Sequence, residues 1–130
     1  MWKKIVATLL GLASLTDVAG QGYAGGTTAA ERAQLPKYCW PQYVDAKFGG
    51  QPGYSFPPSC GVFMNHYCPG LIALIRAERF SDPQHIRVSN AGGAIGAFNY
   101  TLKNMPPACP LRADVEAAYA RAKRIAPNAK

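Results

Sequence analysis

Apolar residues recur at helical spacing between residues 60 and 80, the densest apolar run after the N-terminal segment. One helical stripe comprises Tyr67, Leu71, Leu74 and Glu78. A second stripe overlaps it and comprises Met64, Cys68, Leu71 and Ile75. A helix that is apolar around so much of its circumference is normally buried by its neighbours. We therefore expect this helix to be the element against which the others pack.

Pro69 leaves two starts open for this helix. If the helix begins well before Pro69, it is kinked there, because proline removes a backbone hydrogen bond and crowds the preceding turn. If it begins close to Tyr67 and Cys68, Pro69 falls in the first turn, where proline is well tolerated. Residues 81–83, which read Ser-Asp-Pro, are expected to end the helix.

The same pattern predicts two further helices. The second covers about residues 82–104 and is either continuous or broken near Gly92 and Gly93. Its buried stripe comprises Ala94, Phe98, Thr101, Leu102 and Met105. The third covers about residues 111–125, with a buried face of Leu111, Val115, Ala118, Tyr119, Ala122 and Ile125. No run alternates apolar and polar residues convincingly, so the sequence predicts an all-α fold.

The first twenty residues have the pattern of a secretory signal peptide. Lys3 and Lys4 precede an apolar run over residues 5–15, and small residues at 18–20 offer a cleavage position. We expect cleavage there, with an uncleaved anchor as the alternative. Residues 21–34 are rich in Gly, Ala and Thr and predict a flexible N-terminal arm. Within it, Thr27 or Thr28 is a candidate cap for a short helix that ends at Gln34.

Prolines and glycines are frequent in residues 35–59 and predict a loop-rich region without long helices. Several aromatic residues lie in this stretch: Tyr38, Trp40, Tyr43, Phe48, Tyr54 and Phe56. We expect them to cover the helices. The main domain is thus predicted to span residues 35–125, followed by a tail at 126–130.

Composition and charge indicate which class of partner the chain should bind. The chain has 130 residues, a hydrophobic fraction of 48% and a formal net charge of +7. Its one basic cluster lies at the C-terminus and comprises Arg121, Lys123, Arg124 and Lys130. We interpret this cluster as the solubilising face of the last helix, because no nucleic-acid-binding motif accompanies it. The expected partner is a protein or a second copy of the chain, not a nucleic acid, and membrane contact is expected only through an uncleaved leader.

The cysteines indicate an oxidising compartment. Behind the leader there are four of them, and an even number in an exported chain favours two disulfides. Three pairings exist. We favour Cys39–Cys68 together with Cys60–Cys109, because each bridge would tie a loop to the helical part. The predicted location is periplasmic or secreted.

Two passages resemble tetratricopeptide (TPR) repeat helices. The small, aromatic, small and proline positions of the second helix of a repeat are matched by Ala94, Phe98, Thr101 and Pro106. In the same register, Val115 and Tyr119 fit the first helix of the next repeat, whereas Glu116 stands where the pattern prefers a small residue. Together with the cysteine-containing segments at 35–39 and 66–68, the arrangement is similar to small secreted bacterial TPR-like proteins.

The resemblance implies a TPR-like helical hairpin plus a further C-terminal helix. Only about one and a half repeats are present, and solenoids usually need about three to bury a continuous core. A chain this short would have to compensate with disulfides, aromatic loops or a partner. We therefore expect a non-enzymatic protein–protein interaction module. The interaction surface that we predict comprises Tyr38, Trp40, Tyr43, Tyr67, Phe98, Tyr100 and Tyr119.

Other chemistries are weaker interpretations. Met64, His66 and Cys68 could ligate a soft metal in a metal-binding or redox protein, but residues two apart on a helix point in different directions. The glycine-rich segment at 92–96 lacks the features of a phosphate loop and is expected to let two helix backbones approach closely. No catalytic signature or cofactor motif is recognisable, so no cofactor is expected. A further alternative is an accessory structural subunit of a membrane or periplasmic complex, anchored by an uncleaved leader.

Overall fold

The computed structural model describes residues 26–130. The predicted signal peptide at 1–20 and the first part of the predicted arm, residues 21–25, lie outside the described residues. Throughout the described part of the chain the secondary structure is helical and contains no strand, which confirms the all-α prediction.

The central helix, α3, spans Tyr67–Ala77, and a single 3-10 turn at Phe63–His66 leads directly into it. Pro69 therefore lies in the first turn of α3, which is the second of the two predicted starts. Its missing N–H costs nothing there, because the first amides of a helix have no partner within the helix. The helix ends slightly before the predicted stop, where the N–H of Glu78 bonds to the carbonyl oxygens of Leu74 and Arg76.

Two longer helices complete the helical part. Helix α4 spans Gln84–Asn104 and helix α5 spans Arg112–Ile125, close to the predicted bounds. Helix α4 is continuous through its glycines. Helix α3 packs against both α4 and α5, and α4 also packs against α5. The largest fully buried side chains come from these helices and the turn before α3: Phe98, Met64, Ile72, Leu74, Ile95 and Val115.

The glycines of α4 do not mediate the close helix contact that the sequence suggested. A Cβ built at Gly92, Gly93 or Gly96 would meet no atom within 4 Å. The close approach lies at Gly70 of α3 instead, where a Cβ would stand 2.6 Å from a ring carbon of Phe98. Glycine is thus required by packing on α3, not on α4.

The N-terminal half is a chain of short helical segments. Helix α1 spans Ala29–Ala33 and helix α2 spans Trp40–Tyr43. The remaining segments before α3 are single 3-10 turns at Lys37–Cys39, Ala46–Gly50 and Pro58–Cys60. Proline and glycine at high density account for this shortness, as the sequence predicted.

Helix α1 is capped and docked. Thr28 and Glu31 form a capping box, in which each side chain accepts a hydrogen bond from the backbone N–H of the other residue. The buried carboxylate of Glu31 also accepts hydrogen bonds from Arg76 and Arg79, at 2.9 Å and 2.7 Å. Residues 26–34 are therefore tied to the end of α3, which differs from the flexible arm that the composition predicted.

The two disulfides pair as predicted. Cys39 bonds to Cys68, with their Cα atoms 5.7 Å apart, and Cys60 bonds to Cys109, with their Cα atoms 4.4 Å apart. The first joins the 3-10 turn at Lys37–Cys39 to the first turn of α3. The second joins the loop before α3 to the connection between α4 and α5. Both bridges are compatible with an oxidising, extracellular environment.

Within residues 26–130, no helix combines the length and the apolar character that crossing a membrane would require.

Candidate functional site

A groove of about 430 Å³ runs between α3 and α5 and is closed on one side by residues 34–38. We call it the α3–α5 groove. Its floor is apolar and is formed by Leu71 and Leu74 from α3 and Ala118 from α5, with the partly exposed Ile75 beside them. Leu71, Leu74 and Ala118 are at most 9% exposed, so the partly exposed Ile75 offers a bound peptide more aliphatic surface than they do.

Two tyrosines form one end of the groove. The rings of Tyr38 and Tyr67 are stacked, with centroids 6.2 Å apart, and both residues line the groove. Burial raises the pKa of Tyr38 and of Tyr67 above the usual value for a phenol. A phenol is protonated at physiological pH even at its usual pKa, so both hydroxyl groups are protonated there and each can donate one hydrogen bond.

The first disulfide holds this end of the groove together. Cys39 directly follows Tyr38, and Cys68 directly follows Tyr67. Cross-linking the two cysteines fixes the 3-10 turn that carries Tyr38 against the helix that carries Tyr67. The geometry of the tyrosine end therefore depends on a covalent bond between two otherwise separate segments.

The other end of the groove is charged. Glu78, at the end of α3, accepts two hydrogen bonds from the guanidinium group of Arg121 on α5; the bond from Nε to Oε1 measures 2.9 Å. This ion pair raises the pKa of Arg121. Asp114 and Gln34 add polar atoms to the rim. The groove thus combines an apolar floor with hydrogen-bonding groups of both charges at its edges.

The structure separates the residues of the predicted interaction surface. Of the seven, only Tyr38 and Tyr67 line the α3–α5 groove. Phe98 is fully buried between the helices, and Tyr43 is buried in the N-terminal half. Tyr119 is partly buried and packs against the core. Phe98 has no exposed surface to offer a partner in this structure, because its ring fills the space above Gly70.

Trp40 belongs to an aromatic cluster in the loop-rich region. Its ring lies edge-on to Phe48 and Tyr54, with centroids 5.5 Å and 5.7 Å away. Its indole N–H donates to the carbonyl oxygen of Leu35 at 3.1 Å. Trp40 therefore stabilises the fold of residues 35–54, and its outer edge lines a separate shallow depression with Val44.

Tyr100 lies in a different exposed patch. Its ring contacts His66, at 4.0 Å between centroids, and Phe63, at 6.2 Å. Tyr100 is 41% exposed, and the neighbouring Val62 is 80% exposed. We call these four residues the Tyr100 patch. It is formed by α4 and by the turn that precedes α3.

The soft-metal trio does not form a ligand set. Cys68 is bonded to Cys39 and has no thiolate to donate. Met64 is buried in the core, whereas His66 is partly exposed and its ring contacts Tyr100 in a tilted arrangement. In the described part of the chain, no cluster of three His, Cys, Asp or Glu residues is arranged to hold a metal ion.

Several groove residues escaped the sequence reasoning. Glu78 lies on the same helical stripe as Tyr67, Leu71 and Leu74, and a charged residue on an otherwise apolar stripe is the signal that could have marked it. Arg121 was interpreted as part of a solubilising cluster. Its pairing with Glu78 depends on how α5 lies along α3, which local sequence pattern does not specify.

No protein-family model, no curated protein and no solved structure matches this chain.

Proposed function

We propose that this chain is a non-enzymatic periplasmic or secreted module that binds a segment of a partner protein in the α3–α5 groove. The observation that carries the proposal is the groove itself, in which an apolar floor lies between a tyrosine pair and an ion pair. Tyrosine and arginine are the residues that most often dominate the energy of protein interfaces. Two disulfides support the location, because such bridges persist in oxidising compartments.

The TPR-like interpretation of the helices belongs to this proposal. Helix α4 carries Ala94, Phe98 and Thr101, all buried, at the spacing that the resemblance uses. Helix α5 follows α4 after a short connection and packs on both earlier helices. A helical hairpin followed by one more helix gives one face on which a partner segment can lie.

Site-specific photocrosslinking tests the proposal. A benzoylphenylalanine residue would replace Ile75 in the groove in one variant and the exposed Lys103 of α4 in a control variant. Irradiation of cells that express the chain should give a defined adduct from position 75 and not from position 103. An adduct of twice the chain mass would identify the partner as a second copy.

A groove variant provides the matched control. Ile75→Glu places a charge in the groove, and Ile86→Glu places the same charge at an exposed isoleucine that does not line it. We expect partner capture by the purified chain to be lost only with Ile75→Glu. Equal capture by both variants, or the absence of any adduct from position 75, contradicts the proposal.

The Tyr100 patch favours a second candidate function, that of an accessory structural subunit of an envelope complex. Val62, Phe63 and Tyr100 are exposed apolar residues, and the rings of Phe63 and Tyr100 contact each other. Exposed apolar patches of this kind mark surfaces that are covered in an assembly. The same crosslinker at Val62 separates the two functions, since adducts from Val62 without adducts from Ile75 would favour the subunit.

A further inference from the structure

A second cleft, of about 500 Å³, adjoins the groove at the Glu78–Arg121 ion pair. We call it the arginine cleft. It lies between the connection from α3 to α4 and the last turns of α5. Because Glu78 and Arg121 line both the groove and the cleft, a segment that occupies the groove can continue into the cleft without leaving the surface.

The cleft carries an excess of positive charge. Within residues 26–130, the cleft is lined by three arginines, Arg87, Arg121 and Arg124, and by one carboxylate, that of Glu78. That carboxylate is already paired with Arg121. Arg124 is exposed and has no ion-pair partner among the described residues. Two guanidinium charges are therefore not balanced within the cleft.

Arg87 is held in a fixed position. Its Nε donates to the carbonyl oxygen of Ala77, at the end of α3, over 2.8 Å. Its guanidinium carbon lies 4.5 Å from the centre of the Phe80 ring, in a cation–π contact. A guanidinium group anchored in this way loses little further freedom when it pairs with a carboxylate.

An apolar wall accompanies the charges. Phe80 is 82% exposed, Val88 is partly exposed, and Ile125 borders the cleft from α5. The solvent-exposed ring of Phe80 provides a contact for an apolar side chain. The three arginines that line the same cleft provide a site for an acidic side chain next to it. The aliphatic Val88 and Ile125 beside the ring favour a polypeptide with apolar side chains over a nucleic acid, because bases stack on aromatic rings and not on aliphatic side chains.

We propose that the arginine cleft binds an acidic segment of the partner protein, with carboxylates at Arg87 and Arg124 and an apolar side chain against Phe80. This inference rests on the proposed function and names the chemistry of the partner. Charge complementarity carries it, since a single guanidinium group can donate two parallel hydrogen bonds to one carboxylate. The remaining positive charge also steers acidic segments toward the cleft.

Binding of defined peptides to the purified, oxidised chain tests the inference. The probe is a fluorescein-labelled peptide in which Glu and Phe alternate, compared with peptides that alternate Gln and Phe or Glu and Ser. Anisotropy should show the tightest binding for the Glu–Phe peptide, and that affinity should fall as salt is raised. Arg124→Glu should weaken it about tenfold, whereas Lys103→Glu, the same charge change on an exposed part of α4, should leave it unchanged.

Any one of four results would overturn the inference. The first two are no binding of the Glu–Phe peptide and equal affinity for the Glu–Phe and Gln–Phe peptides. The others are equal weakening by Arg124→Glu and Lys103→Glu, and tighter Arg124-dependent binding to anionic vesicles or single-stranded DNA. The last result would mean that the cleft binds a lipid surface or a nucleic acid and not an acidic polypeptide. Ile75 crosslinks that persist without peptide binding would refute the acidic segment and leave the groove function standing. Peptide binding without Ile75 crosslinks would support the acidic segment and contradict the proposed function of the groove. Circular dichroism of the Arg124 variant checks that its fold is intact.

Discussion

Phe98 occupies the space that a side chain at Gly70 would need. A Cβ built on Gly70 would lie 2.6 Å from one carbon of the Phe98 ring and 3.0 Å from the Cβ of Ala97. The first of these separations is too short for a real Cβ contact, so either the ring or the helix would have to move. The closest contact between α3 and α4 therefore depends on the absence of a side chain at residue 70.

Gly70→Ala is expected to destabilise the protein by about 1–3 kcal/mol, the usual cost of overpacking a core. Gly93→Ala and Gly96→Ala are the matched controls, because both glycines lie within α4 facing open space. Alanine there should stabilise the helix by about 0.5–1 kcal/mol. Chemical denaturation of the three variants measures these changes, and a neutral Gly70→Ala would show that the helices do not approach so closely.

The helices themselves could be predicted from the sequence because their signals are local. The apolar stripe of α5 lies within that helix, and the prolines that stop α4 lie only two and three residues after its end. Pro69 allowed two starts for α3, and the choice required knowing that residues 63–66 form a 3-10 turn. The disulfide pairing could be favoured in advance because it had to join the loops to the helices.

The candidate site could not be predicted to the same extent, because it depends on contacts between distant residues. Glu31 and Arg76 are 45 positions apart, and Glu78 and Arg121 are 43 positions apart. The sequence places Phe98 both on the buried stripe of α4 and on the predicted interaction surface, and the structure buries it completely. An aromatic residue on a helical stripe can belong either to a core or to an interface. For Phe98, the packing of α3 on α4 determines that it belongs to the core.

Glu31 should make stability depend on acid pH. The hydrogen bond from Arg76, with further contributions from Thr28 and Arg79, lowers the pKa of this buried carboxyl from 4.5 to about 2. A carboxyl whose pKa is lowered in the folded state stabilises that state above its unfolded pKa. The stabilisation is therefore complete above about pH 4.5 and is lost as the pH falls toward 2.

Glu31→Gln should lower the free energy of unfolding at pH 7 by about 3 kcal/mol, the equivalent of this shift in pKa. The difference from the unaltered chain should shrink between pH 4.5 and pH 2. Glu116→Gln, at an exposed position on α5, is the control and should change little at any pH. A gap between Glu31→Gln and the unaltered chain that stayed constant down to pH 2 would contradict the role of the ion pair.

The two disulfides should make similar contributions to the stability of the fold. They close loops with sequence separations of 29 and 49 residues. The chain-entropy estimate gives about 3.5 and 4 kcal/mol for their removal. Replacing either pair by alanine should therefore lower stability by a similar amount, measured by denaturation of the two double variants.

Their effects on the groove should be unequal, because only Cys39 and Cys68 adjoin Tyr38 and Tyr67. At a temperature where both double variants remain folded, loss of the Cys39–Cys68 bridge should weaken crosslinking from Ile75. Loss of the Cys60–Cys109 bridge should not. If both variants crosslink as well as the unaltered chain, the tyrosine end keeps its geometry without the bridge.

Glu78→Gln should change the affinity for the acidic peptide while it changes the stability of the fold only a little. The Glu78–Arg121 pair is partly exposed, with side chains 31% and 45% accessible, so its loss should cost less than about 1 kcal/mol. Among the described residues, Glu78 supplies the one carboxylate that lines the arginine cleft, so the same substitution removes it and leaves Arg121 free to pair with a ligand. Affinity for the Glu–Phe peptide should then rise by about two- to fivefold, measured by anisotropy at low salt. Glu116→Gln makes the same change in net charge outside both clefts, so an equal rise in that variant would trace the effect to overall charge and not to the cleft.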